Sequence, residues 1–102
     1  MKSVFAREAA GLYVEQYAGD VLDYGRDWAD LIPDGDVIVS SVWEATGAML
    51  TAPQQVGRVT SVFVALADGA RAALVSNVVQ TAAGRRARWE FVVRRRTSPA
   101  LM

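Results

Sequence analysis

Cysteine and histidine are both absent from the 102 residues. Their absence removes a disulfide framework, thiolate chemistry, serine–histidine and cysteine–histidine nucleophile systems, and the usual zinc ligand sets. Folding in a reducing cytosol is the simplest reading of a chain without cysteine. Any acid–base chemistry falls to carboxylates and tyrosines. The eight glycines are scattered singly, so there is no glycine-rich phosphate loop. No apolar run approaches the roughly 20 residues that a membrane helix needs. The start, with Lys2, Arg7, Glu8 and Glu15, lacks the apolar core of a signal peptide.

What is present fits one soluble globular domain, with 52% hydrophobic and 22% charged residues. The formal net charge is zero, yet it is unevenly distributed. Residues 1–44 carry three basic and nine acidic side chains; residues 45–102 carry eight basic and two acidic. Either copies assemble head to tail, or two partners use opposite faces, or the acidic and basic segments are neighbours within one fold and pair cheaply there.

Short runs with period-two alternation dominate from residue 20 onward. Leu22, Tyr24, Arg26 and Trp28 share one face of an extended segment, with the Arg26 stem lying along the aromatics. Pro33-Asp34-Gly35 is a turn. Strict alternation over Val37–Trp43 puts Val37, Val39, Ser41 and Trp43 on one side. Ala48–Ala52 reads as a short strand cut off by Pro53, and Val59–Leu66 as a strand ended by Asp68-Gly69. Leu74–Thr81 and Arg86–Arg96 flank a short turn and form a hairpin with Ala87, Trp89, Phe91 and Val93 on its dry face. Several short strands with turns between them predict an all-β sandwich. Residues 1–19 mix helix-favouring and strand-favouring stretches and read as an N-terminal arm; residues 20–96 form the sandwich, and 97–102 a loose tail.

The chemistry-bearing residues point away from catalysis. The six aspartates from Asp20 to Asp36 are spread over strand and turn, and Asp34-Gly35-Asp36 is only a fragment of a calcium loop. No metal or other cofactor is expected. Trp28, Trp43 and Trp89 suit a sugar-stacking platform, but each falls on the apolar phase of its strand and is better read as core. Arg94-Arg95-Arg96, with Arg85, Arg86 and Arg88, suit phosphate contacts; alternation splits them between faces and leaves no net positive field, so edge protection explains them as well. Arg95 extends the phase of Phe91 and Val93 and belongs at the rim of the core.

The ordered string "VLDYGRDWADLIPDGDVIVSSVWEA", then "SVFVALADG", then "LVSNVVQTAAGRRARWEFVVRRR" resembles the bacteriophage fibre-tail adaptor proteins. The shared pattern is an aspartate–tyrosine strand ending in tryptophan, a D-x-I strand ending in tryptophan, V-x-L-x-x-G, and a V-x-N-x-x-x-T-x-x-G-R hairpin, over about residues 20–96. The resemblance implies an immunoglobulin-like β-sandwich of about seven short strands. It implies a non-enzymatic structural protein of the virion, made in the host bacterial cytoplasm and placed in the tail region. Its partners would be tail and fibre proteins, and symmetric copies or a ring of the chain itself, with neither nucleic acid nor membrane. Phe5, Tyr13 and Tyr17 on the arm and Arg94, Arg95 and Arg96 on the last strand are the candidate partner contacts. The alternatives are a capsid decoration protein and a carbohydrate-binding module that aids adsorption.

Overall fold

The computed structural model describes residues 6–8 and 11–97, and among them every regular element is a β-strand. The strands are β1 (Ala6–Glu8), β2 (Gly11–Tyr17), β3 (Leu22–Asp27), β4 (Ile38–Thr46), β5 (Ala48–Val56), β6 (Val59–Leu66), β7 (Ala72–Thr81) and β8 (Arg86–Arg96). They form a five-stranded sheet in the order β1-β2-β8-β7-β4 and a three-stranded sheet in the order β3-β6-β5. The two sheets pack into a sandwich whose core comes from both: Tyr24, Val62 and Val64 on one side, and Ala73, Val75, Val79, Trp89, Phe91 and Val93 on the other. All neighbouring strands are antiparallel except β2 and β8, which run parallel.

Most of the sequence pattern translates directly. Val59–Leu66 is β6, with Thr60, Val62 and Val64 buried and Phe63 outward. The hairpin β7–β8 buries Trp89, Phe91 and Val93 on its dry face, and Ala87 packs against them. Trp28 follows β3 and is fully buried; Trp43 packs against the cluster and meets Trp89 edge-on at 6.2 Å between ring centroids.

Two strands depart from strict alternation. In β4 a bulge sets Ile38 opposite Thr81 but Ser40 opposite Gln80, two residues against one. The bulge switches the phase, so Ile38 joins the core while Val37 and Val39 are exposed rather than sharing a face with Trp43. Strand β5 does not stop at Pro53. It continues to Val56 through a second bulge, where Thr51 pairs Phe63 and Gln54 pairs Ser61. This works because β5 is an edge strand, where a residue without an N–H costs no ladder bond. The bulge contains Ala52 at φ 49°.

Residues 11–17, expected within an arm, form a sheet strand with β8 on one side and β1 on the other. The register runs Val14 opposite Val93, Glu15 opposite Arg94 and Tyr17 opposite Arg96. Gln16 is buried and fastens β2 to the other sheet. Its Nε2 donates to the Val64 carbonyl at 2.9 Å and to the Asp20 carbonyl at 3.0 Å, while its Oε1 accepts from the Tyr24 hydroxyl at 2.7 Å. Two carbonyl partners on one side and a hydroxyl on the other fix the amide orientation. The expected arm residue Phe5 and the tail from residue 98 lie outside the described residues.

A second polar chain crosses the core. Trp28 Nε1 donates to Thr60 Oγ1 at 2.9 Å, and the Thr60 hydroxyl donates to Asn77 Oδ1 at 2.6 Å. Asn77 Nδ2 then donates to Ser41 Oγ at 3.0 Å and to the Val42 carbonyl at 3.1 Å. Thr60 and Asn77 are fully buried, so each polar atom needs such a partner, and the chain fixes how the sheets face each other.

Candidate partner interface

The parallel pairing of β2 with β8 brings four of the expected contact residues into one place. In each strand alternate side chains point outward, so Tyr13 and Tyr17 of β2 stand beside Arg94 and Arg96 of β8 on the outer face of the five-stranded sheet. The Arg94 guanidinium lies 4.0 Å from the centroid of the Tyr13 ring, and that of Arg96 lies 5.7 Å from the Tyr17 ring. Glu15 sits between the two tyrosines, in register with Arg94. A cation–aromatic contact at an exposed site is worth about 0.5–1 kcal/mol. Its larger effect is on order. An arginine already stacked loses less rotamer freedom when a partner arrives, a cost otherwise about 0.5–1.5 kcal/mol per side chain.

Arg95 does not join this group. It falls opposite Gln16 on the inward phase and emerges exposed at the rim, as the alternation predicts. Its backbone N–H donates to the Arg71 carbonyl at 2.7 Å, which ties the end of β8 to the loop before β7. The outer face continues beside the stacked pairs with Val92 and Leu74, in register with Tyr13; Leu74 is exposed. The result is a rim of arginine on tyrosine beside a small apolar strip.

At the opposite end of the sandwich the charged residues are spent on the fold. Asp36 is almost covered, with a side chain 5% exposed. Its Oδ1 accepts from the backbone N–H groups of Val37 and Ala83, both at 3.0 Å, and its Oδ2 meets Arg85 at 2.8 Å. The Thr81 hydroxyl, then these groups, pull its pKa down to about 2 against the opposing effect of burial. Arg58 donates to the Ile32 carbonyl at 2.8 Å and pairs with Asp34 at 3.1 Å. Arg26 pairs with Asp30 at 2.8 Å and lies 4.4 Å over the Trp28 ring, so its stem runs along the aromatics as the alternation suggests. Acidic and basic halves of the sequence therefore do meet within the fold, through Asp34–Arg58 and Asp36–Arg85.

A shallow pocket of about 260 Å³ lies at this end, lined by Leu31, Ile32, Val79, Thr81 and Ala87 with Arg85 and Arg86. It is apolar and holds no nucleophile–base couple. Among the described residues no cluster of three or more acidic side chains is arranged to hold a metal ion. The sugar-stacking use of tryptophan finds no support in the packing, since Trp28 and Trp89 are buried and Trp43 packs edge-on against Trp89.

The hairpin motif proves to be a folding device. Of V-x-N-x-x-x-T-x-x-G-R, Asn77 carries the buried relay. Thr81 accepts from the Arg85 backbone at 3.0 Å, Gly84 takes φ 98°, and Arg85 clamps Asp36. Nothing in the alternation marks Asn77 as a relay, because its role depends on which residues of β4 and β6 lie across the core.

The molecule is a two-sheet β-sandwich pinned by buried polar chains, with arginines stacked on tyrosines on one outer face. The chain belongs to the family described as podophage GP4 fiber-tail adaptor protein gp77, which matches residues 16–94. The match begins at Gln16, the residue that fastens β2 into the core, and ends at Arg94. No curated protein matches the chain significantly.

Proposed function

We propose that this chain is a non-enzymatic structural component of a phage tail, joining the tail to fibres or to neighbouring tail components through protein–protein contacts. The family description supports a fibre-tail adaptor and a place in the virion tail. The observation on the molecule that carries the reading is the rim of Tyr13, Tyr17, Arg94 and Arg96, a preordered surface with aromatic and arginine side chains of the kind enriched at interfaces. Arg95, exposed at the end of the same strand, and Phe5 of the N-terminal segment are further candidate contacts.

The immunoglobulin-like reading draws support from strand order. With β3 taken as strand B, the two sheets run B-E-D and G-F-C, with β2 parallel to G. That arrangement leaves both outer faces free for contact while the polar chains hold the core rigid.

Quantitative mass spectrometry of purified virions tests the assignment. A copy number equal to a small multiple of the tail symmetry supports an adaptor. Hundreds of copies per particle would make the chain a capsid decoration protein, and its absence from the particle would overturn the reading.

A further inference from the structure

Two hydrogen-bonded walls enclose the apolar pocket at the end of the sandwich away from the arginine–tyrosine rim. One wall is the turn after β3. The N–H groups of Leu31 and Ile32 both donate to the Trp28 carbonyl, at 2.9 and 2.8 Å, and the Ile32 carbonyl accepts from Arg58 at 2.8 Å. The other wall is the closed end of the β7–β8 hairpin. There the Thr81 N–H donates to the Arg85 carbonyl at 2.9 Å, and Asp36 holds the Arg85 guanidinium. Neither wall has to form when a ligand arrives, which lowers the ordering cost of binding.

The pocket exists because Ala87 is small. The inward positions of β8 run Ala87, Trp89, Phe91 and Val93, one methyl followed by three large side chains. Beside Ala87 lies Val79, its partner in register, and both Val79 and Ile32 are buried. The volume of about 260 Å³ falls below the roughly 300–1,000 Å³ of small-molecule and cofactor sites. It leaves room for a single large apolar side chain.

The mouth carries one unspent charge. Arg85 is met by Asp36, and Arg58 by Asp34. Arg86 lines the same pocket, is exposed, and has no ion pair among the described residues. Leu31, 51% exposed, adds an apolar lip. An apolar hole beside a free guanidinium selects an apolar group with a carboxylate close to it, and rejects a basic one. Large side chains seated in preformed pockets are the usual anchors of a protein–protein contact.

We propose that the pocket between Ala87 and Arg86 receives one large apolar side chain of a partner protein, with a neighbouring carboxylate of that partner set against Arg86. This rests on the adaptor reading only for the partner's place in the tail.

The first test is an NMR titration of the full chain with phenylacetate, beside its neutral counterpart phenylacetamide. Phenylacetate is expected to shift the amides of Ile32, Val79 and Ala87 saturably, with a dissociation constant of about 1–10 mM for so small a probe. Phenylacetamide should bind the same residues about three- to fivefold more weakly. Arg86→Gln should erase that difference and keep the weaker binding. Ala87→Leu, shown to be folded by its thermal transition, should bind neither probe. Absence of saturable shifts at these residues overturns the proposal. So does equal affinity for acid and amide, or undiminished binding by Ala87→Leu. The second test places Ala87→Leu in the phage, where the chain or the fibre protein should be depleted from purified virions. If wild-type chain is present in small multiples and the variant particle keeps its full complement of both, this contact fails and the adaptor reading stands. Probe binding by a chain absent from virions does the reverse.

Discussion

The Tyr24 hydroxyl donates to Gln16 Oε1 at 2.7 Å, joining a strand of one sheet to a strand of the other. Gln16 reaches Val64 with its other end, so β2 is held from inside the core as well as along β8. Deleting residues 1–17 therefore removes a structural strand. The truncated chain is expected to lose its cooperative thermal transition. Gln16→Ala in the full chain removes the side-chain bonds to the Val64 carbonyl and the Tyr24 hydroxyl and is expected to cost about 1–3 kcal/mol by denaturant titration.

The relay through Thr60 and Asn77 makes a parallel prediction. Asn77→Ala removes the acceptor for the Thr60 hydroxyl and the side-chain donor to the Val42 carbonyl, and opens a small cavity. Unfolding in urea should show a loss of about 2–4 kcal/mol. Asn77→Asp should be worse at neutral pH, because a buried carboxylate cannot donate to Val42.

Backbone geometry at Gly47, just before β5, and at Ala52, within it, gives predictions of opposite sign. Gly47 alone links β4 to β5 as the chain crosses between sheets, at φ 84°, and a Cβ there would stand 2.7 Å from the Ala72 carbonyl oxygen. Gly47→Ala should destabilise by about 2 kcal/mol or more. Ala52 at φ 49° occupies the left-handed region in an exposed bulge. Ala52→Gly relieves about 1–2 kcal/mol of steric cost and gives back part of it in unfolded-state entropy. A small gain in melting temperature is expected, checked by calorimetry on the two variants side by side.

Two titrating groups set the pH limits. Asp36 titrates near 2 in the folded chain and at an ordinary carboxylate pKa when unfolded, so its contribution is complete above about pH 4 and disappears as pH falls toward 2. Asp36→Asn should be less stable than wild type at pH 7 and converge with it near pH 2. Tyr24 is pushed up to about 12 by burial, with Asp20 and Asp23 adding to it. Its contribution is complete below the unfolded value near 10 and is lost as pH rises from there toward 12. Stability curves against pH for wild type and Tyr24→Phe should diverge least at the alkaline end.

The sheet-forming runs were legible because period-two alternation is local: β6 and the β7–β8 hairpin can be read almost residue by residue. What alternation could not convey was partnership across space. The bulge at Ile38–Ser40 inverts the phase of β4, and only the pairing with Thr81 and Gln80 reveals it. Pro53 looked like an end because the edge position of β5 is a property of the sheet. Residues 11–17 gave no decision between helix and strand, since their strand state is set by β8, nearly eighty residues away. Of the candidate contacts, Tyr13, Tyr17, Arg94 and Arg96 come together through that same pairing. Arg95 turns to the rim.

The most direct measurement concerns the Tyr13–Arg94 and Tyr17–Arg96 rim in the assembled particle. Phage carrying Arg94→Glu with Arg96→Glu would be grown beside wild type, and the chain and the fibre protein quantified in purified virions by mass spectrometry. A rim that joins tail components requires that the substituted chain, soluble and folded by circular dichroism, be lost from the particle together with its fibres. Particles with the full complement of both would contradict the interface.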